Sequence, residues 1–178
     1  MSRAFVKEDA SPDQIVVPAR APLPMGTPNL VTVTGLAALA AERDALEAER
    51  LVVESAGRDQ DRGGALLALD EQLADLAQRI ASARVAAAPD EPDVEVAVGS
   101  SVTLRRDDGR VLQLRIVGVD EAAPERGWVA FTAPVAQALL GRRVGDSVKV
   151  AAGTLTVEAV RFVTDDAGVV PSTSAAGG

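Results

Sequence analysis

Two stretches of the chain carry a seam that repeats at spacings of three and four. The first runs through Leu36, Leu39, Arg43, Leu46, Arg50 and Val53, and the second through Leu66, Leu69, Leu73, Leu76, Ile80 and Ala83. This is a heptad pattern. Residues 36–88 are rich in Ala, Leu and charge and contain no proline, which favours helix. Thr32 or Thr34 can cap the start, and Gly57, Gly63 and Gly64 break the pattern in the middle, so two helices are predicted rather than one. Laid antiparallel with 36 opposite 83 and 53 opposite 66, every layer pairs one seam position with another. A shift of one heptad would strand Leu66 and Leu69 in the turn, at about 1.5–3 kcal/mol for each exposed side chain. The turn then falls within 54–65, with Arg58-Asp59-Gln60-Asp61-Arg62 at its apex. At ~1.5 Å per residue the arms project roughly 35 Å. Arg43 and Arg50 sit in the seam and must extend their charged ends to water.

Beyond residue 96 the period changes to two. Val111–Val117 alternates, with Leu112, Leu114 and Ile116 on one face, and the Asp107-Asp108-Gly109 turn pairs it with Val102–Arg105. Trp128–Phe131, Ser147–Val150 and Leu155–Val163 read as further strands. Pro134 opens a short helix and Gly141 closes it. The expected fold is therefore α+β in two modules: an N-terminal antiparallel α-helical coiled-coil hairpin and a small α+β domain. The organisation expected is a proline-rich disordered arm (1–28), the hairpin (29–88), an acidic linker (89–95), the α+β domain (96–164) and a flexible tail (165–178).

Composition limits the chemistry available. The chain of 178 residues has no Cys, His or Tyr, which removes thiol and imidazole catalysis and Cys/His zinc sites. Phe5, Trp128, Phe131 and Phe162 are its whole aromatic complement, too few for a base-stacking surface. With a net charge of −8, direct nucleic-acid binding is not expected. The acidic excess lies in the helical half and the linker, whereas 96–164 is weakly basic. Neither a membrane-spanning stretch nor a charged-then-apolar leader pattern is present, so a cytoplasmic location is expected.

The apex acids are the first candidates for chemistry. Asp59 and Asp61, with Glu54 nearby, could bring carboxylate oxygens to a hard cation such as Mg²⁺ whose shell other groups leave open. The same residues also suit an ordinary solvated turn. A partial EF-hand spacing (Asp59, Asp61, Gly64, Asp70) fails at its fifth and ninth positions, Gly63 and Leu67. Arg105-Arg106 and Arg142-Arg143 could form a docking face for an acidic partner. No Walker loop, dinucleotide fingerprint or nucleophile elbow occurs.

Several segments resemble the bacterial GreA/GreB family of transcript-cleavage factors. Val102-Thr103-Leu104, Asp108-Gly109, Arg115-Ile116-Val117-Gly118 and Asp120-Glu121-Ala122 are similar to the first half of the family's C-terminal domain. Pro134, Ala136, Ala138-Leu139-Leu140-Gly141 and Val144-Gly145-Asp146 are similar to the second half, and Asn29-Leu30-Val31-Thr32, Gly35-Leu36 and Leu39 to the entry into its hairpin. The resemblance implies an FKBP-like C-terminal domain that docks at the secondary channel of RNA polymerase. It implies partner-binding residues Trp128, Phe131, Thr132, Ala133, Pro134, Leu140, Arg142 and Arg143. It also implies a hairpin tip at which Asp59 and Asp61 act only as co-ligands of a polymerase-held Mg²⁺, in a protein that is not itself an enzyme and touches nucleic acid only through the polymerase. Family tips carry Asp and, three residues on, Glu; here Asp59 is followed by Arg62, and Arg58 precedes it. The expectation is therefore a monomeric factor that occludes the channel more than it stimulates cleavage. The alternative is a coiled-coil interaction or assembly protein unrelated to transcription. Prolyl isomerisation is not expected, since Trp128, Phe131 and Phe162 cannot line the aromatic pocket it needs.

Overall fold

The helical half begins at Thr32, whose extended backbone (φ −80°, ψ 168°) and hydroxyl, accepting from the Gly35 N–H at 3.0 Å, make it the N-cap. A computed structural model describes residues 22–56, 62–91 and 93–163 of the chain. Helix α1 (Val33–Ser55) and helix α2 (Arg62–Ser82) run in opposite directions side by side. All twelve seam positions are buried or half-buried, with Leu39 and Leu76 at 3% and 1% exposure and Leu36, Leu46 and Ile80 packed around them. Farther out, Arg50 crosses from α1 to Asp70 at 2.6 Å and also meets Glu54 at 3.2 Å. The Asp70 hydrogen bond and charge, then Glu54, raise the Arg50 pKa above its ordinary value. Arg43 extends outward to Asp44 and Glu47. Gly63 and Gly64, expected to break the helix, lie instead in the first turn of α2. Leading N–H groups there have no intrahelical acceptor in any case, so the backbone freedom of glycine is least harmful at that end. Asp59 and Asp61 lie outside the described residues.

The base of the helix pair holds an element the seam pattern concealed. Strand β1 (Asn29–Val31) pairs in parallel with strand β2 (Ala83–Val85). Ala83, expected as the last helical seam position, is therefore extended. Asn29 Nδ2 donates to the Arg79 carbonyl at 2.8 Å and to Ser82 Oγ at 3.1 Å, which takes up the end of α2 and releases the chain into a strand.

The C-terminal half matches its alternating pattern closely. Strands β3 (Ser100–Arg106), β4 (Val111–Val117), β5 (Trp128–Ala130), β6 (Ser147–Val150) and β7 (Gly153–Phe162) form one sheet in the order β5-β4-β3-β7-β6, antiparallel except for β4–β5. Gly109 turns β3 into β4 at φ +83°. Helix α3 (Pro134–Leu139) lies on one sheet face, where Ala136 and Leu139 pack with Val102, Leu104, Ile116 and Val157. The acidic stretch expected to be a linker is bound down. Arg143 meets Glu91 at 2.9 Å and Glu95 at 3.6 Å, Val144 N–H donates to the Val94 carbonyl, and Val96 enters the core at 1% exposure. Cross-chain charge pairing outweighs the local proline and acid signal there.

Two neighbouring carboxylates of one turn tie the two halves together. Glu121, in the short 3₁₀ turn Val119–Glu121 after β4, accepts from the Thr32 N–H at 2.9 Å, the Thr32 hydroxyl and the Gly118 N–H at 3.0 Å. It thus sits at the N-terminus of α1, where exposed N–H groups and the helix dipole favour negative charge. Beside it Arg79 of α2 meets Asp120 at 3.3 Å with both side chains nearly buried (10% and 4% exposed). Gly35 and Gly118 are required by this arrangement, because a Cβ on either would overlap the Glu121 carboxylate.

Three stability outcomes follow for urea or thermal unfolding of the full chain. Gly35→Ala should destabilise by about 1–3 kcal/mol despite alanine's better helix propensity, since it drives a methyl into Glu121. Gly63→Ala, with open space around its Cα, should stabilise by up to ~1 kcal/mol. Glu121→Ala should cost about 2–4 kcal/mol, from lost charge-assisted hydrogen bonds and N–H donors left without an acceptor. Equal effects of the two glycine changes would contradict the packing at Gly35.

Candidate functional site

Two regions were marked by the sequence, the apex and the Trp128–Arg143 face. Of the apex candidates, Glu54 alone lies among the described residues. Its carboxylate is in the last turn of α1, ion-paired to Arg50 at 3.2 Å. Among the described residues no cluster of three acidic, His or Cys side chains could hold a metal ion. Arg62 opens α2, so a cation stands at the start of the helix that follows the apex.

The candidate docking residues fall into three settings. Trp128 is half-buried on the sheet's edge strand β5, with Arg126 stacked 3.9 Å and Arg115 4.9 Å from its ring centre. Phe131 faces inward at 5% exposure; its N–H donates to the Val117 carbonyl and its own carbonyl accepts from Gln137 Nε2 at 2.8 Å. It supports the face from beneath and does not form it. Thr132 and Ala133 are half-buried, and Pro134 is exposed at the first turn of α3. Leu140 packs against the core while Arg142 is exposed. Arg143 is occupied by Glu91 and Glu95, so its charge is largely neutralised from within.

Sequence reasoning passed over Arg115 and Arg126. The alternation of Val111–Val117 sets Arg115 on the face opposite Ile116, which was a usable signal. That Arg126 would stack on the same indole was not visible, because it depends on the turn between β4 and β5. Between Trp128 and Arg126 on one side and Thr34, Ala38 and Glu42 of α1 on the other lies a cleft of about 280 Å³. The cleft exists because Glu121 holds α1 against the end of the sheet.

Known proteins give this arrangement a family. The description "Transcription elongation factor, GreA/GreB, C-term" matches residues 91–161. A GreB from Haemophilus influenzae is 33% identical over 82 residues, 46% of this chain and 52% of that protein. The chain thus spans about half of that relative's length. A GreA from Chloroflexus aggregans is 34% identical over 111 residues, 62% of this chain and 71% of the relative. Among solved structures, a GreA/GreB factor from Nitrosomonas europaea has 19% identity and a TM-score of 0.38, covering 76% of this chain and 99% of its own. A GreA homologue, Gfh1 of Thermus thermophilus, has 20% identity and a TM-score of 0.35 with the same coverage. The GreA match, 34% identical and spanning 71% of that relative, shows that the chain belongs to the GreA/GreB family of transcription elongation factors.

Proposed function

We propose that this chain binds bacterial RNA polymerase in the cytoplasm and regulates elongation by occupying the secondary channel. In this reading the C-terminal α+β domain is FKBP-like and anchors at the channel rim through Trp128, Pro134 and Arg142. Helices α1 and α2 form an antiparallel coiled-coil hairpin that enters the channel tip first. The observation that carries the reading is the junction. Glu121 caps α1 from the sheet side and Asp120 pairs with Arg79 of α2, so the helix pair is fixed in direction at its base. A helix of 23 residues then reaches roughly 35 Å from that base.

Family resemblance also brings in an Mg²⁺ shared with the polymerase. The described donors do not fit such a role, because Glu54 is held by Arg50 and no acidic cluster accompanies it. Asp59 and Asp61 are flanked in the sequence by Arg58 and Arg62. Even an exposed ion pair of ~0.5 kcal/mol would compete with weak metal capture. Occlusion needs no metal ligand from this chain and is the reading these charges favour.

A backtracked elongation complex tests this directly. The chain alone should stimulate RNA cleavage little, yet it should reduce cleavage by an added, cleavage-competent GreA several-fold. Asp59→Ala with Asp61→Ala should leave that inhibition intact. Strong cleavage by the wild type that the double variant loses would replace occlusion by metal-assisted cleavage. Separately, Arg142→Glu should weaken co-migration with polymerase about tenfold, equivalent to ~1.4 kcal/mol, if Arg142 faces the rim.

A further inference from the structure

The outer face of the sheet carries a line of cations that neither the core nor the channel reading uses. Strand register places Trp128 beside Arg115, Arg115 beside Ser101, and Ser101 beside Arg161, so one row crosses β5, β4, β3 and β7. Residues directly opposite on neighbouring strands share a face. Arg126 joins the row by stacking on the indole. Arg115 Nε is buried and makes no hydrogen bond. Among the described residues, no carboxylate is ion-paired to Arg115, Arg126 or Arg161, whereas Arg105, Arg106, Arg110 and Arg143 of the same domain each have one. A chain with net charge −8 has acids to spare, so three guanidiniums left without them on one face are an unmet electrostatic demand.

We infer that this row docks an acidic segment of a partner protein, a contact that shares Trp128 with the proposed channel-rim anchor but rests on Arg115 and Arg161 and needs no polymerase for its test. Stacking on Trp128 orients a guanidinium plane, which suits its terminal N–H groups to hydrogen bonds with carboxylates. Arg115 and Arg161 are two strands apart, roughly 10 Å. Glutamates seven residues apart on an α-helix are separated by a similar distance, about 10.5 Å. The Ser101 hydroxyl lies between the two cations as a further donor. A nucleic acid fits less well: two guanidiniums already occupy the indole, leaving little ring surface for a base, and the chain's net charge opposes a polyanion.

Trp128 is the chain's one tryptophan, so its fluorescence reports on the row without a label. The full chain would be titrated with an alanine-rich helical peptide bearing two glutamates seven residues apart, with the matching glutamine peptide, and with a short single-stranded oligonucleotide. The glutamate peptide should give a saturable change in emission that weakens with added salt, and the glutamine peptide none. Arg115→Ala with Arg161→Ala should raise the Kd at least tenfold, while Arg84→Ala, a cation change on β2 away from the row, should not. Circular dichroism confirms that the variants fold; if the double variant does not, Arg161→Gln alone should still raise the Kd several-fold. Equal binding of the two peptides, tighter binding of the oligonucleotide, or an unchanged Kd in the folded variants would overturn the proposal. So would an emission change of opposite sign on deleting residues 164–178, with peptide binding strengthened by that deletion, since the row's occupant would then be the chain's own Asp165-Asp166 segment.

Discussion

The placement of one carboxylate against one helix terminus governs how the two halves of this protein meet. Glu121 supplies acceptors for the Thr32 N–H and hydroxyl and for the Gly118 N–H. Thr32 in turn caps α1 by accepting from Gly35. A helix start that would otherwise expose unsatisfied donors is thereby satisfied by a residue from the opposite module. The contact is directional, because hydrogen bonds and a charge at a helix N-terminus both depend on angle and distance. It admits no Cβ at Gly35 or Gly118. Apolar packing of Val31, Leu39 and Leu76 alongside it supplies area but little orientation.

The Arg79–Asp120 pair adds a second attachment, from α2, to the same short turn. Two helices held at adjacent points of one turn cannot swing independently. The cleft beside Trp128 is a consequence of the same geometry, since its walls come from α1 and from the sheet edge.

Charge in this chain is organised more by fold than by composition. Net acidity suggests repulsion from anionic partners, yet the fold decides which cations the acids neutralise: Glu91 and Glu95 meet Arg143, Glu158 meets Arg105, and Asp70 and Glu54 meet Arg50. What remains on the outer sheet face is cationic. A sum over the sequence cannot show this, because screening and pairing act over a few ångströms and depend on which strands are neighbours.

Local patterns were sufficient for most elements. The heptad spacing marked the two helices, and strict alternation with Asp-Asp-Gly marked β3 and β4. Pro134 and Gly141 bounded α3. The family, too, was readable from its run of short motifs in order. These signals are local, since helix and strand periods and turn residues act within a few positions. Tertiary structure decided the rest. The parallel β1–β2 pair joins residues more than fifty positions apart and overrides the helical expectation at Ala83. The acidic stretch is fixed by Arg143, and Phe131 is drawn into the core. Glu121 became a cap, and Arg115, Arg126 and Arg161 became a row, only when strand order and register set them beside Thr32, Trp128 and Ser101. Such contacts join residues distant in the chain, and no local spacing in the sequence records which of them will meet.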